Sequence, residues 1–404
     1  MPTRAEELRE AVRLAVDATL GVTDVVQKMH HTIGGGPALL GRPFESIVKV
    51  LSAPAYAGVK WVTNLVGAGL DAVLEQLGPA LGPGGESDEQ DFVVGALNGV
   101  VGDILADRGS TLAMTTQFRR VGKPIETRQL ERATGKLLIL VHGSSATDRC
   151  WSRKGQHFGE ALERVEALGL TWVALRYNSG RHVSTNGREF AHALEHLVTT
   201  WPARVTEVTI VAHSMGGLVT RSACQIAEDE GLPWRRVLRA IVFLGTPHQG
   251  APLERVGNVL GAGLGLSRYS APLTALAHIR SAGVTDLRFG LTRDDEWQGV
   301  DRFAVETDPR KAAALPPDTA CFAIAASISQ EGSPTPLGDG LVPIASALGR
   351  HERPELSLAF DPSHQRVLST LHHQDLLSDS RVLEQLVTWL SMPGATTVAG
   401  AASK

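Results

Sequence analysis

Cysteine is scarce: Cys150, Cys224 and Cys321 stand far apart in 404 residues and are odd in number. They do not form the pattern of a disulfide framework or a zinc site, and read as reduced core thiols. Neither sign of charge dominates. With 39 Lys and Arg against 43 Asp and Glu, nothing pulls the whole chain towards nucleic acid or an anionic membrane. No apolar run reaches about 18 residues, so no membrane-spanning helix is expected. The first ten residues, MPTRAEELRE, are charged and lack the apolar stretch of a secretion signal, which fits a cytoplasmic protein. Walker-type loops, dinucleotide fingerprints and zinc motifs are missing as well, so neither a cofactor nor a metal is expected. The acidic runs at 87–91 and 294–296 lack the alternating oxygen-ligand spacing of a calcium loop and read as solvated faces.

What is present suits a large globular body. The chain is 43% hydrophobic and 20% charged, enough to bury a sizeable core. Residues 1–110 read as a helical N-terminal region, with apolar positions at helical spacing in Leu8 to Met29, Val59 to Leu77 and Phe92 to Asp107. The plain reading is a helical subdomain packed on the core. A lipid-surface segment is the sharper alternative, disfavoured because the polar faces are poor in Lys and Arg. Over 111–392 strand-like and helix-like stretches alternate. Strands are predicted at Leu112–Arg119, Lys136–Val141, Thr171–Tyr177, Val208–Ala212, Leu238–Leu244, Ala320–Ser327 and Leu356–Phe360, with a closing helix at Arg381–Leu390. That rhythm predicts an α/β fold with a mostly parallel central sheet and helices on both faces. Residues 250–317 break the rhythm and are expected to form a cap or lid, and 393–404 a loose tail.

The chain is organised around Glu207 to Gly217, EVTIVAHSMGG. An apolar strand runs into a sharp turn carrying Ser214, and a helix follows. This context pushes a serine hydroxyl above a parallel sheet as a nucleophile. Such a turn needs almost no side chain two residues before and after the serine, and Ala212 and Gly216 meet that need. A serine requires a base and an acid to orient the base, and here those partners are sought later in the chain, acid before histidine. Asp339 in GDGLVP is the candidate acid, with Asp294 and Asp301 in reserve. His373 in LHHQDLL is the candidate base, with His372 beside it and His364 ranked third. Amides of Met215 and Ser144 are expected to form the oxyanion hole, with His142 as a structural support. In RYNSGRH, Asn178 and Arg181 either contact substrate or fix a long loop. His248 in GTPHQG is expected to anchor the turn entering the cap.

VHGSSATD, RYNSGRH, AHSMGGLVTRSA, FLGTPHQGAPLER, GDGLVP and LHHQDLL together resemble lipase-like α/β-hydrolases, and in particular the bacterial GPI inositol-deacylase-like and triacylglycerol-lipase-like families, over Lys136 to Leu390. The resemblance implies an α/β-hydrolase fold with Ser214 as nucleophile, Asp339 as acid and His373 as base. The expected activity is hydrolysis of an apolar, lipid-like acyl ester. A thioesterase, an acyltransferase, an intracellular polyester depolymerase or a non-catalytic lipid- or partner-binding protein are the alternatives. The expected partner is the ester substrate itself, with peripheral lipid-surface contact open.

Overall fold

A computed structural model of the chain describes residues 88–127, 130, 133–151, 158–251, 281–302, 308–312 and 314–392. The sequence-predicted helices before residue 88, the middle of the cap (252–280) and the tail (393–404) lie outside the described residues.

Among the described residues eight strands form one sheet. They are β1 (Gln117–Arg120), β2 (Lys123–Pro124), β3 (Lys136–Val141), β4 (Thr171–Arg176), β5 (Glu207–His213), β6 (Leu238–Leu244), β7 (Ala320–Ser327) and β8 (Gln365–Ser369). Their order is β2-β1-β4-β3-β5-β6-β7-β8. β1 and β2 are antiparallel, and β1 runs antiparallel to β4. The six strands from β4 to β8 are mutually parallel.

Parallel strands covered on both faces read as continuous apolar runs, as in the buried part of KLLILV and throughout ACFAIAAS. Alternate residues then serve different layers. Leu137, Ile139, Val141, Ile210 and Phe243 enter one core. Leu138, Leu140, Val211, Val242 and Phe322 enter the other. The first core is covered by α3 (Val183–Thr200), α4 (Met215–Asp229) and the short α6 (Ile344–Ala347), the second by α2 (Phe158–Ala167) and α7 (Ser380–Ser391). In α7 the buried Val382, Leu383, Leu386 and Trp389 share one face, and Trp389 stacks on Phe322 at 4.7 Å. Each such fully buried apolar side chain contributes about 1.5–3 kcal/mol. This is the α/β-hydrolase fold: a mostly parallel sheet, helices on both faces, and a strand–turn–helix at its centre.

Most predicted elements appear within a residue or two, and two strands differ. Leu112–Arg119 yields only the short β1, four residues long. Leu356–Phe360 is not the last strand. Its apolar residues Leu356, Leu358 and Phe360 are buried, but they cover the core as irregular chain after a short 3₁₀ turn. The last strand is β8, an edge strand whose sequence QRVLS is half-exposed and carries no apolar run.

Helix α1 (Asp88–Asp107) precedes the sheet and lies against the loops after β3 and β4, with a break at Val101. Asp91 is buried and pairs with Arg176 at the end of β4 and with Arg149, each at 2.7 Å. The described part of the predicted cap, 281–302, contains the short α5 (Ala282–Asp286). It docks beside the loop after β4, where His182 pairs with Asp286 at 2.9 Å and stacks on Trp297 at 3.6 Å between ring centres. Among the described residues no helix is long and apolar enough to cross a membrane.

Candidate active site

Ser214 sits between the end of β5 and the first residue of α4 with φ 54° and ψ −127°. Few residues other than glycine adopt positive φ, so this backbone is strained and its surroundings must hold it. The Ser214 amide donates to the Leu244 carbonyl at 2.8 Å, tying the turn to the end of β6. A side chain on Gly216 would run into the carbonyls of His142 and Val141, and one on Gly143 would stand 2.9 Å from Ser214 Cβ. The spacing of small residues around Ser214 is thus a steric requirement of the turn. Ala212, two residues before, is fully buried.

Asp339 and His373 come together at the carboxyl ends of β7 and β8. His373 Nδ1 donates to Asp339 Oδ2 at 2.7 Å, and the His373 amide donates to the Asp339 carbonyl at 3.0 Å. Both side chains are buried, at 1% and 4% exposure. The other carboxylate oxygen accepts the amides of Leu341 (2.9 Å) and Val342 (2.7 Å). Burial pushes the Asp339 carboxyl up, but the His373 imidazole, its hydrogen bond and the two amides outweigh burial and hold it below the ordinary carboxylate range. The flanking glycines are there for geometry: Gly340 has φ 96°, and a side chain on Gly338 would overlap the Val342 carbonyl.

The dyad borders the Ser214 turn through shared neighbours. Gly245 follows the carbonyl that holds Ser214, and a Cβ there would stand 3.2 Å from His373 Cε1 and 3.3 Å from Asp339 Oδ2. His213, one residue before Ser214, donates from Nε2 to the His373 carbonyl at 3.2 Å, with ring centres 4.8 Å apart. Ser214 makes no direct hydrogen bond to His373 among the described residues. Such bonds are often long without substrate and tighten in the reacting complex. With Nδ1 committed to Asp339, Nε2 of His373 is left as the proton acceptor.

The other histidines sort by burial. Burial lowers His213 to about 3, with the neighbouring His373 adding to the effect, and lowers His142 to about 4. Both are therefore neutral at pH 7. His142 Nδ1 donates to the Gly143 carbonyl at 2.8 Å, Nε2 accepts the Tyr177 amide at 3.3 Å, and the ring stacks on Tyr177 at 4.2 Å. That is a supporting position. His372 is exposed and caps the 3₁₀ turn that begins at His373. His364 packs on Phe322 just before β8, at the end of the sheet away from the serine. Asp294 pairs with Arg188 at the surface, and Asp301 is exposed.

The Met215 amide is the first of α4, so no helical carbonyl is available to it. The Ser144 amide makes no hydrogen bond among the described residues, and its loop abuts Ser214 through Gly143. Asn178 is buried and its side chain is engaged with backbone: Nδ2 donates to the Gly102 carbonyl and Oδ1 accepts the Gly180 amide. Arg181 pairs with Glu189, and its carbonyl accepts from Asn186. Both therefore stand as posts of the loop after β4. The GTPHQG turn after β6 is anchored by Gln249, which bonds Ser346, Gly349 and Leu356. The neighbouring His248 packs against Phe243 and Phe360.

His213 and Gly245 carry no catalytic signature of their own in the sequence. Each adjoins a motif residue, at the end of β5 and in the GTPHQG turn, and that adjacency was the available signal. No group of three or more His, Cys, Asp or Glu able to hold a metal occurs among the described residues.

A family model described as "Domain of unknown function (DUF7379)" matches residues 109–269. Among solved structures the chain is similar to the mature form of a Bacillus licheniformis lipase, at 16% identity over 69% of this chain and 98% of that one, with a TM-score of 0.40. It is similar to a lipase-esterase related protein from Clostridium acetobutylicum, at 13% identity over 64% and 96% of the two chains, TM-score 0.36. It is also similar to a Pyrococcus furiosus esterase, at 13% identity over 64% and 83%, TM-score 0.35.

Proposed function

We propose that the chain is a serine hydrolase that cleaves carboxylic esters of an apolar, lipid-like acyl group. The observation that carries this reading is the strained Ser214 at a strand–helix turn beside a buried His373–Asp339 pair. A structural turn has no need of a positive-φ serine next to an oriented imidazole.

In this reading Ser214 Oγ attacks the ester carbonyl carbon as His373 Nε2 takes its proton. Charge develops on the carbonyl oxygen and is met by the amides of Met215 and Ser144. Asp339 steadies the imidazolium without taking its proton. The C–O bond to the leaving alcohol breaks as His373 returns the proton to that oxygen, leaving an acyl-Ser214. Water then attacks, with His373 as base, and releases the acid. The depressed Asp339 carboxyl suits this role, because it stays ionised as the imidazole charges. The resemblance of the motifs to triacylglycerol-lipase-like and GPI inositol-deacylase-like hydrolases supports the lipid-like acyl group.

A fluorophosphonate probe tests the nucleophile directly. Intact protein is expected to be labelled at Ser214, as located by peptide mass, with labelling abolished in Ser214→Ala. Folded protein that resists the probe would favour a binding protein. Labelled protein that turns over thioesters or transfers acyl groups to alcohols in preference to hydrolysing esters would redirect the substrate class and keep the nucleophile.

A further inference from the structure

We propose that helix α1 is a positioning element of the reaction: its glycine face clamps the loop after β3 against Ser214 and so fixes the Ser144 amide. This rests on the serine-hydrolase reading and adds to the site a helix that precedes the sheet.

Gly95 and Gly99 are four residues apart and so share one face of the first part of α1, and Gly102 follows just after the break at Val101. Glycine is a poor helix former, and a row of three has a use where another backbone must come close. Each here meets a loop of the site. A Cβ on Gly95 would stand 2.9 Å from Thr147 Cγ2 and 3.1 Å from the Ala146 carbonyl carbon. One on Gly99 would overlap Ser145 Oγ and come within 2.7 Å of its Cβ and 2.8 Å of its Cα. One on Gly102 would overlap Asn178 Oδ1.

The inner side of the same loop is equally close to the nucleophile, with Gly143 against Ser214 Cβ. Ser144 therefore lies between a residue pressed on Ser214 and a residue pressed on α1. Ser145 has φ 57°, a strained value that persists only where neighbours impose it. Its neighbours are Gly99 outside and Ser179, whose hydroxyl accepts the Ser145 amide at 3.0 Å.

The helix is itself fixed. Asn98 bonds the Leu112 carbonyl (2.8 Å) and the Met114 amide (2.9 Å), and Asn178 holds the Gly102 carbonyl at 2.8 Å. Ser281 Oγ donates to the Gly99 carbonyl at 2.6 Å, and the Ala282 amide donates to Asp103 at 2.9 Å, so the described part of the insertion grips the same turn. An oxyanion donor acts in the transition state far more than in the ground state. Loosening the clamp should therefore lower kcat and leave KM nearly unchanged.

The test uses the full chain with p-nitrophenyl butyrate, and compares wild type, Gly99→Ala, Ser179→Ala and the pair Gly99→Ala with Ser145→Gly. Hydrogen exchange of the 143–147 amides is measured alongside. Gly99→Ala is expected to lower kcat on the order of 10- to 100-fold, within the range for losing an oxyanion donor, with KM within about twofold and faster exchange in 143–147. Adding Ser145→Gly removes the overlapping Oγ and Cβ and suits the positive φ, so part of kcat should return. Ser179→Ala releases the loop from the other side, with a smaller fall of the same kind, and keeps the test open if Gly99→Ala does not fold. Unchanged exchange in both single variants overturns the clamp whether or not the protein cleaves esters. Faster exchange with wild-type kcat overturns its catalytic consequence. Wild type inert to both ester and fluorophosphonate would instead sink the serine-hydrolase reading, a separate result.

Discussion

At the scale of single residues, the site depends on groups that burial and hydrogen bonds hold in one protonation state. Asp339 receives three hydrogen bonds through its two carboxylate oxygens, one from His373 and two from backbone amides. Asp339→Asn keeps the volume but offers His373 Nδ1 a different partner, and an amide donor there selects the wrong imidazole tautomer. kcat/KM is expected to fall on the order of 10⁴-fold with little change in KM. A variant within tenfold of wild type would remove Asp339 from its role. Both residues could be picked as candidates from the sequence, because glycines flank Asp339 and LHHQDLL falls after the late strands, just before the closing helix. His213 could not. Its position at the end of β5 says only that it is buried, and its bond to the His373 carbonyl joins residues 160 apart in the chain.

At the scale of elements, strand and helix positions followed from apolar runs and periodicity, and failures came where burial and regularity part company. LSLAF is apolar because it plugs the core as irregular chain, whereas QRVLS pairs with β7 at an exposed edge and so lacks the signature of a buried strand. Helix α1 has a further element-scale consequence. Its buried Asp91 balances Arg176 and Arg149, and Asp148 lies 3.5 Å from Arg176 without a hydrogen-bond partner at Oδ1. Removing one partner of a buried pair leaves an uncompensated charge, at a cost on the order of 3–5 kcal/mol. Asp91→Ala should therefore lower the melting temperature by several degrees and raise protease sensitivity around α1. An unchanged melting curve would mean that α1 does not depend on this pair. The sequence showed a helix here but not what it touches, since every partner is far away in the chain.

At the scale of the whole molecule, the buried histidines set the response to acid. His142 and His213 are held neutral in the folded protein, at about 4 and about 3, mainly by burial, and burial also keeps His248 well below the ordinary value. In the unfolded chain these rings take up protons near 6.5. Between there and the folded values the unfolded state binds more protons, so stability is lost as pH falls from about 6.5 towards 4. Asp148 works the other way. Burial, with Asp91 nearby, raises it from 3.8 to about 7, so across that window the folded state holds one extra proton. Burial raises the Asp286 carboxyl as well, so three histidines stand against two carboxyls, and each unopposed proton is worth about 1.4 kcal/mol per pH unit. Urea midpoints measured from pH 7 to 4.5 should fall steadily, and less steeply in His142→Gln. Midpoints that rise as the pH is lowered would contradict the assignment.

The central claim is that Ser214 is the nucleophile of an ester hydrolase. It is tested most directly by hydrolysis of p-nitrophenyl esters of graded acyl length, with wild type and Ser214→Ala side by side at pH 7.5. Wild type is expected to be active with a definite chain-length optimum. Ser214→Ala should lose on the order of 10⁴- to 10⁶-fold in turnover at an unchanged fold. Equal rates for the two proteins would contradict the account, because the strained turn would then be structural and the chemistry would lie elsewhere.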